Sequence, residues 1–248
     1  MWLCRISIFG LVCSVALGAC VAQPDSLSSQ EAKGNVGKKE EKKAPADVKR
    51  IEYKKNIVLE IQGDVRRVRV NAEVCLREGF LEQLMTRKRT KEHEAILAAD
   101  IDARHLHAAL LLAGAEAGKP VQFRPNLAPP TGSAIKIFLE YKDKGKDMRV
   151  PAQSWIRNVK TKKDFHTDWV FGGSLLIPDP MNPKADPYYL ANDGDVITVV
   201  NFDGACLDVP FLSTKDNADL DFEAHTERIP ALKTAVTLVL EVVPAKKK

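Results

Sequence analysis

RVRVNAEVCLREGFLEQLMTRKRTKEHEAILAADIDARHLHAALLLAG, Arg67 to Gly114, changes its periodicity along its length and so decides the fold class. Val68, Val70, Ala72 and Val74 alternate with Arg67, Arg69, Asn71 and Glu73, and a period of two predicts a strand with one buried face. From Asp102 the spacing turns helical: Leu106, Ala109, Leu110 and Ala113 share a face, Asp102 stands as N-cap and Gly114 ends the helix. Leu111 and Leu112 cover the other side, which predicts a helix buried widely around its circumference. Between the two elements, Gly79 to Met85 reads as a short strand and Arg87-Lys88-Arg89 as a solvated connection.

Working outward, Ile57–Ile61 reads as a strand before Arg67, and Ile135–Tyr141 as a strand closed by a hairpin connection at Lys142–Asp147. Met148–Ile156, Trp169–Ile177, Val196–Phe202 and Val236–Val243 are further strand candidates. Pro178 to Asp195, with four prolines and an Asn-Asp-Gly-Asp turn, reads as a long surface loop. About eight strands and one clear helix predict a β-rich α+β domain. It would be sandwich-like, or a curled and mostly antiparallel sheet, with one main buried helix.

The ends read differently. Arg5 precedes 14 uncharged residues, Ile6 to Ala19, the length of a signal-peptide core and too short to span a bilayer. Leu17-Gly18-Ala19-Cys20 resembles a bacterial lipobox, which would lipidate Cys20 and tie the chain to a membrane; cleavage after Ala22 is the plainer alternative. Residues 1–22 are thus read as a signal peptide, 23–55 as a disordered Lys/Glu-rich tether poor in large apolar residues, 56–245 as one domain and 246–248 as a basic tail. The chain's net charge of +4 lies in the tether and tail, because residues 56–245 hold 24 Lys and Arg against 27 Asp and Glu. A nucleic-acid binder carries its basic stripe on the folded domain, so that class is set aside.

Cysteines 4, 13 and 20 belong to the leader, leaving Cys75 and Cys206 as either a disulfide or two buried thiols. His93-Glu94 invites a zinc-protease reading, but four residues beyond His93 stands Leu97, and the motif fails. His105 and His107, two apart on a helix, point about 200° from each other and do not grip one ion. The acidic runs Asn192–Asp195 and Asp216–Asp221 lack the calcium-loop spacing and read as turns. A narrower site survives, in which Cys75 at a strand end, Lys91, His93 and Glu94 on a connection and His107 on the helix converge on one cleft. Its sharpest form holds a divalent transition metal on His93, Glu94 and His107. Its bland form pairs Glu94 with Lys91 locally and leaves Cys75 as a small buried hydrophobe.

Cys75-Leu76-Arg77-Glu78-Gly79, Thr90-Lys91-Glu92-His93-Glu94, the helix from His107 to Leu112 and Asp168-Trp169-Val170-Phe171 resemble the YdjY-domain family. The resemblance spans roughly Val65 to Val243, and Thr90–Glu94 is its most specific part. It implies an exported bacterial envelope protein, and, from relatives associated with ferredoxin-type modules, a redox setting. Within it His93 and His107 fall on the family pattern, whereas His105, His166 and His225 do not. Thr86 and Arg89 stand where the family often has Cys and Gly, which weakens a redox or metal role for Cys75. The chain has no iron–sulfur cysteine pattern of its own. The combined expectation is an envelope-associated binding module with an envelope protein as partner, built on Cys75, Lys91, His93, Glu94 and His107. The alternatives are a metal- or Cys/His-dependent hydrolase on the same residues, or an accessory protein of an electron-transfer system.

Overall fold

A computed structural model describes residues 47–213 and 221–243. The leader, the lipidation candidate Cys20, most of the tether, most of the Asp216–Asp221 run and the basic tail lie outside the described residues.

β1 (Val48–Lys54), β2 (Ile57–Gln62) and β3 (Val65–Val74) form an antiparallel meander. The last part of the expected tether is therefore strand. Six of the seven β1 residues are exposed, so backbone pairing with β2 and the Arg50–Glu60 ion pair at 2.8 Å hold it, rather than apolar burial. Composition has no way to register that kind of support.

β4 (Phe80–Leu81) and β5 (Gln83–Arg87) precede β6 (Ala95–Ala99), an Ala-Ile-Leu-Ala-Ala run in which every residue is buried. A strand covered on both faces shows no alternation, which is why periodicity passes over it. β6 pairs antiparallel with β3 and parallel with β5. α1 (Ala103–Leu112) begins as expected, with Asp102 accepting from the Arg104 amide at 2.9 Å and Asn192 Oδ1 taking the Ala103 amide. Gly114, at φ +91°, ends it. The helix is not buried all round. Leu106, Ala109 and Leu110 face the core, where α1 meets β2 and β3. Leu111 and Leu112 are 47% and 51% exposed, because a single stripe of the helix meets the sheet.

β7 (Ala134–Asp143) and β8 (Lys146–Pro151) make the expected hairpin, and a 3-10 turn leads to β9 (Ile156–Asn158). The Trp169–Ile177 run splits. β10 (Trp169–Val170) pairs with β7, the chain then leaves the sheet, and β11 (Leu176–Ile177) pairs with β12 (Tyr188–Tyr189) as a separate ribbon. The expected surface loop thus contains a strand, and Tyr189, Ala191, Asn192 and Asp195 within it are buried. Only β13 (Ile197–Thr198) of the Val196–Phe202 run is strand, followed by β14 (Phe222–Ala224) and β15 (Ala235–Val242).

The main sheet runs β10–β7–β15–β3–β6–β5–β13, with β8 joined to β7 and with β2 then β1 joined to β3; β4–β14–β9 is a smaller sheet. Among the described residues this is the strand-rich α+β architecture with open, mostly antiparallel sheets and one α-helix. Phe165 joins the two sheets, 5.1 Å from Phe222 on β14 and 5.5 Å from Trp169 on β10. On the outer face of the main sheet, arginines and glutamates from successive strands interlock. Glu60 accepts from Arg50, Arg67 and Arg69, Glu241 from Arg67 and Arg149, and Glu140 from Arg69 and Arg149.

Candidate functional site

The Thr90–Glu94 run lies in the connection between β5 and β6. Parallel neighbours normally need a crossover of a dozen or more residues, yet seven residues, 88–94, return the chain from Arg87 to Ala95. So short a return leaves little slack and has to be fastened along its length. Thr90 Oγ1 donates to the Arg87 carbonyl and lies 2.8 Å from Thr86 Oγ1, Glu92 accepts the Arg89 amide at 2.9 Å, and the Glu94 amide bonds the Lys91 carbonyl. Thr86, on β5, takes part in the fastening by donating to the Gly194 carbonyl. Gly194, at φ +126°, is needed there: a Cβ would come within 2.9 Å of Thr90 Oγ1, Lys91 Cγ and Thr86 Oγ1.

Lys91 is the electrostatic pin of this clasp. Its ammonium bonds Asp195 Oδ1 at 2.8 Å, lies 3.7 Å from Glu94 Oε1 and sits 4.4 Å from the Phe202 ring centroid. Burial alone would push its pKa down, but the hydrogen bond and charge of Asp195 outweigh that and raise it. Asp195 also accepts from the buried Gln83 amide at 2.9 Å. Glu82 stands opposite Glu94 at the start of the parallel pair, its amide on the Glu94 carbonyl. Burial first, and then the charge and hydrogen bond of Glu94, raise the Glu82 pKa. Three carboxylates therefore gather about one ammonium.

Of the five site candidates, Lys91, His93 and Glu94 come together; Cys75 lies alongside them, bonded to the Ala95 carbonyl, and His107 goes elsewhere. His93 is exposed at the rim, its Nε2 3.7 Å from Glu94 Oε2. Cys75 Sγ donates to the Ala95 carbonyl at 3.0 Å, and burial, with the nearby Glu92 charge, pushes the thiol up to about 12. Such a thiol is not poised as a nucleophile. Cys75 and Cys206 are both free thiols. Among the described residues no three His, Cys, Asp or Glu side chains are grouped to hold a metal ion, so His93, Glu94 and His107 are not assembled as a ligand set.

His107 faces the chain after β10 instead. The Tyr189 hydroxyl has one proton and donates it to the Gly173 carbonyl at 2.9 Å, so His107 Nδ1, 2.8 Å away, donates to the Tyr189 oxygen. That makes His107 the Nδ1–H tautomer, and burial lowers its pKa, against the hydrogen bond to Gly173. Phe171 packs edge-on at 4.8 Å. Cys206, fully buried, has its thiol pushed up to about 12 by burial. The group is an internal brace.

Two features escape sequence reasoning. Asp208 is fully buried: its Oδ1 accepts from Thr198, Asn201 and the Val209 amide, while Oδ2 meets no partner. Burial outweighs those bonds and pushes its carboxyl up to about 7. Only its place between apolar strand residues hints at this. The second is an open cleft of about 700 Å³ between the Pro178–Pro187 loop and the start of α1. Its apolar wall is Ile177, Tyr188, Pro178, Pro180 and Pro187, and its polar wall sets Arg87 and Arg104 among Asp102, Asp179, Asp186 and Asn192. Arg87 is fixed by the Ile101 carbonyl at 3.1 Å. Burial opposes ionisation of Asp102, yet hydrogen bonds from Arg104 and Asn192 hold its carboxyl down at about 2. Beside the cleft Leu175, Leu176, Ile177, Met181 and Tyr188 stand exposed, Met181 at 91%. The exposure follows from β11 and β12 pairing only with each other.

These features define a β-rich α+β domain with a clasped parallel crossover and an apolar-lipped cleft. The chain belongs to the YdjY domain family, whose model matches residues 59–241. No curated protein and no solved structure matches it.

Proposed function

We propose that this domain is an exported, envelope-associated interaction module that holds a partner polypeptide in the cleft between the Pro178–Pro187 loop and α1. The observation that carries the reading is the exposed apolar lip, Leu175 to Ile177 with Met181 and Tyr188, continuous with that cleft. Contiguous exposed apolar side chains with a polar surround are the usual mark of a protein contact, and four prolines stiffen the lip so that little ordering entropy is lost on binding. Arg87, and Arg104 beside its Asp102 partner, would take backbone carbonyls or side-chain carboxylates of the partner, and the Tyr–proline wall its apolar residues. Export rests on the Ile6–Ala19 run and the Cys20 lipobox. The raised Cys75 thiol and the internally bonded His107 favour binding over a Cys/His hydrolase.

The test is site-specific photocrosslinking in intact cells, with benzoylphenylalanine at Met181 and, as control, at Lys142 in the β7–β8 turn. A discrete adduct from position 181, absent from position 142 and abolished by Ile177→Asp in a protein that still melts normally, is expected. No adduct at 181, or the same adducts from both positions, would sink the reading.

A further inference from the structure

β1 is an edge strand with β2 on one side and no partner on the other among the described residues. An exposed edge is a template for another strand, and natural edges are commonly blunted. This one also carries exposed apolar side chains, with Val48 48% and Ile51 40% exposed. Its sequence, Val-Lys-Arg-Ile-Glu-Tyr-Lys, is complementary to itself when reversed about Ile51. In an antiparallel pair of two copies centred there, Arg50 falls opposite Glu52 of the second copy and Glu52 opposite its Arg50. Lys49 falls opposite Tyr53, and the two Ile51 residues meet on the twofold axis. Directly opposed side chains share a face. Arg50 and Glu52 thus lie on the outer face, where Arg50 already bonds Glu60 through Nε with 59% of its side chain exposed. Ile51, Lys49 and Tyr53 lie on the other face, Ile51 in register with Leu59.

We infer that β1 is a homodimer interface, through which two copies pair their edges about Ile51 and run the two main sheets into one. The Arg–Glu ladder on the outer face then continues unbroken across the twofold axis, from Glu60 through Arg50 to Glu52 of the second copy. The bulge between Glu52 and Lys54 ends the regular stretch at Glu52, so Arg50–Glu52 is the regular centre of the contact and Lys49 and Tyr53 are its margins. So short a strand pair buries less than a standard interface, so the dimer is weak and concentration-dependent. It is independent of the cleft and of any partner held there.

Sedimentation velocity of the full chain from about 1 to 200 µM tests this, a range suited to a micromolar contact. A monomer–dimer equilibrium is expected. Glu52→Lys and Arg50→Glu each turn two attractive cross-strand pairs into repulsive ones, and each should weaken self-association about tenfold or more. In a mixture of the two variants, one strand is basic at both positions 50 and 52 and the other is acidic at both. Every cross-strand pair of the mixed dimer is then attractive, so a heterodimer should re-form. Ile51→Lys, which faces two ammonium groups across the axis at an exposed position, should also give monomer with unchanged melting, and it serves as the test if Arg50→Glu disturbs Glu60. A chain that is monomeric throughout, as it would be if the segment before β1 covers this edge, overturns the inference. Association indifferent to all three variants overturns it too, because it must then arise elsewhere in the chain.

Discussion

At the scale of single residues, buried Asp208 and half-buried Lys91 with its carboxylates set the pH behaviour. Asp208 has a folded pKa of about 7, above the 3.8 of an exposed aspartate. Between those values the folded state holds a proton that the unfolded state has released, so stability falls as pH rises from about 4 to about 7 and then levels. Asp208→Asn keeps the shape and removes the titration. The melting-temperature advantage of the parent over this variant is therefore expected to decline from pH 5 to pH 7.5, and parallel melting curves would refute the assignment. Among the described residues, Lys91 is the ammonium with ion pairs to both Asp195 and Glu94. Lys91→Met is expected to destabilise by about 2–3 kcal/mol at pH 7.5, the scale of a lost charge-assisted hydrogen bond with its partner left half-buried. The loss should shrink at pH 5, where Glu82, with its raised pKa, protonates more readily. Chemical denaturation at the two pH values measures it. Lys91, His93 and Glu94 can be picked out along the chain because the connection holds them close. The distant partners of Lys91, Asp195 and Phe202, lie about a hundred residues away, and no spacing rule reaches that far.

At the scale of elements, helix and strand are legible wherever one face is buried and the other wet. β3 and β7 alternate, and α1 starts at its own N-cap. Elements outside that regime are not. β6 is buried on both faces, β1 is exposed on nearly every residue, and the two-residue strands carry too few positions for a period to show. The helix gives a direct test of which stripe packs. Leu110→Ala should cost about 2–5 kcal/mol, as for a fully buried leucine. Leu112→Lys should change stability by less than about 0.5 kcal/mol, as for a surface site. Equal effects in thermal melts would mean the helix is buried on both sides after all.

At the scale of the whole molecule, β1 extends the folded unit beyond the boundary that composition suggests. A chain begun at Asn56 loses β1, leaves Glu60 without Arg50 and bares the outer edge of β2. It should melt about 5–10 °C below a chain begun at Asp47, if the strand contributes about 2–3 kcal/mol in a domain of this size. Coincident melting would return β1 to the tether. Reading residues in order is enough for the β-rich α+β class, the main helix with its cap, the long alternating strands and the placing of the Thr90–Glu94 run in one connection. Those are consequences of local periodicity and short-range hydrogen bonding. Chain folding in space was needed to settle that this run clasps a seven-residue parallel crossover to Asp195, that the Cys75 thiol is spent on the Ala95 carbonyl while His107 turns away to Tyr189, and that the lip after β10 stands clear of the main sheet. Each of these depends on which distant backbone lies alongside, and strand pairing between remote segments leaves no periodic trace in either partner.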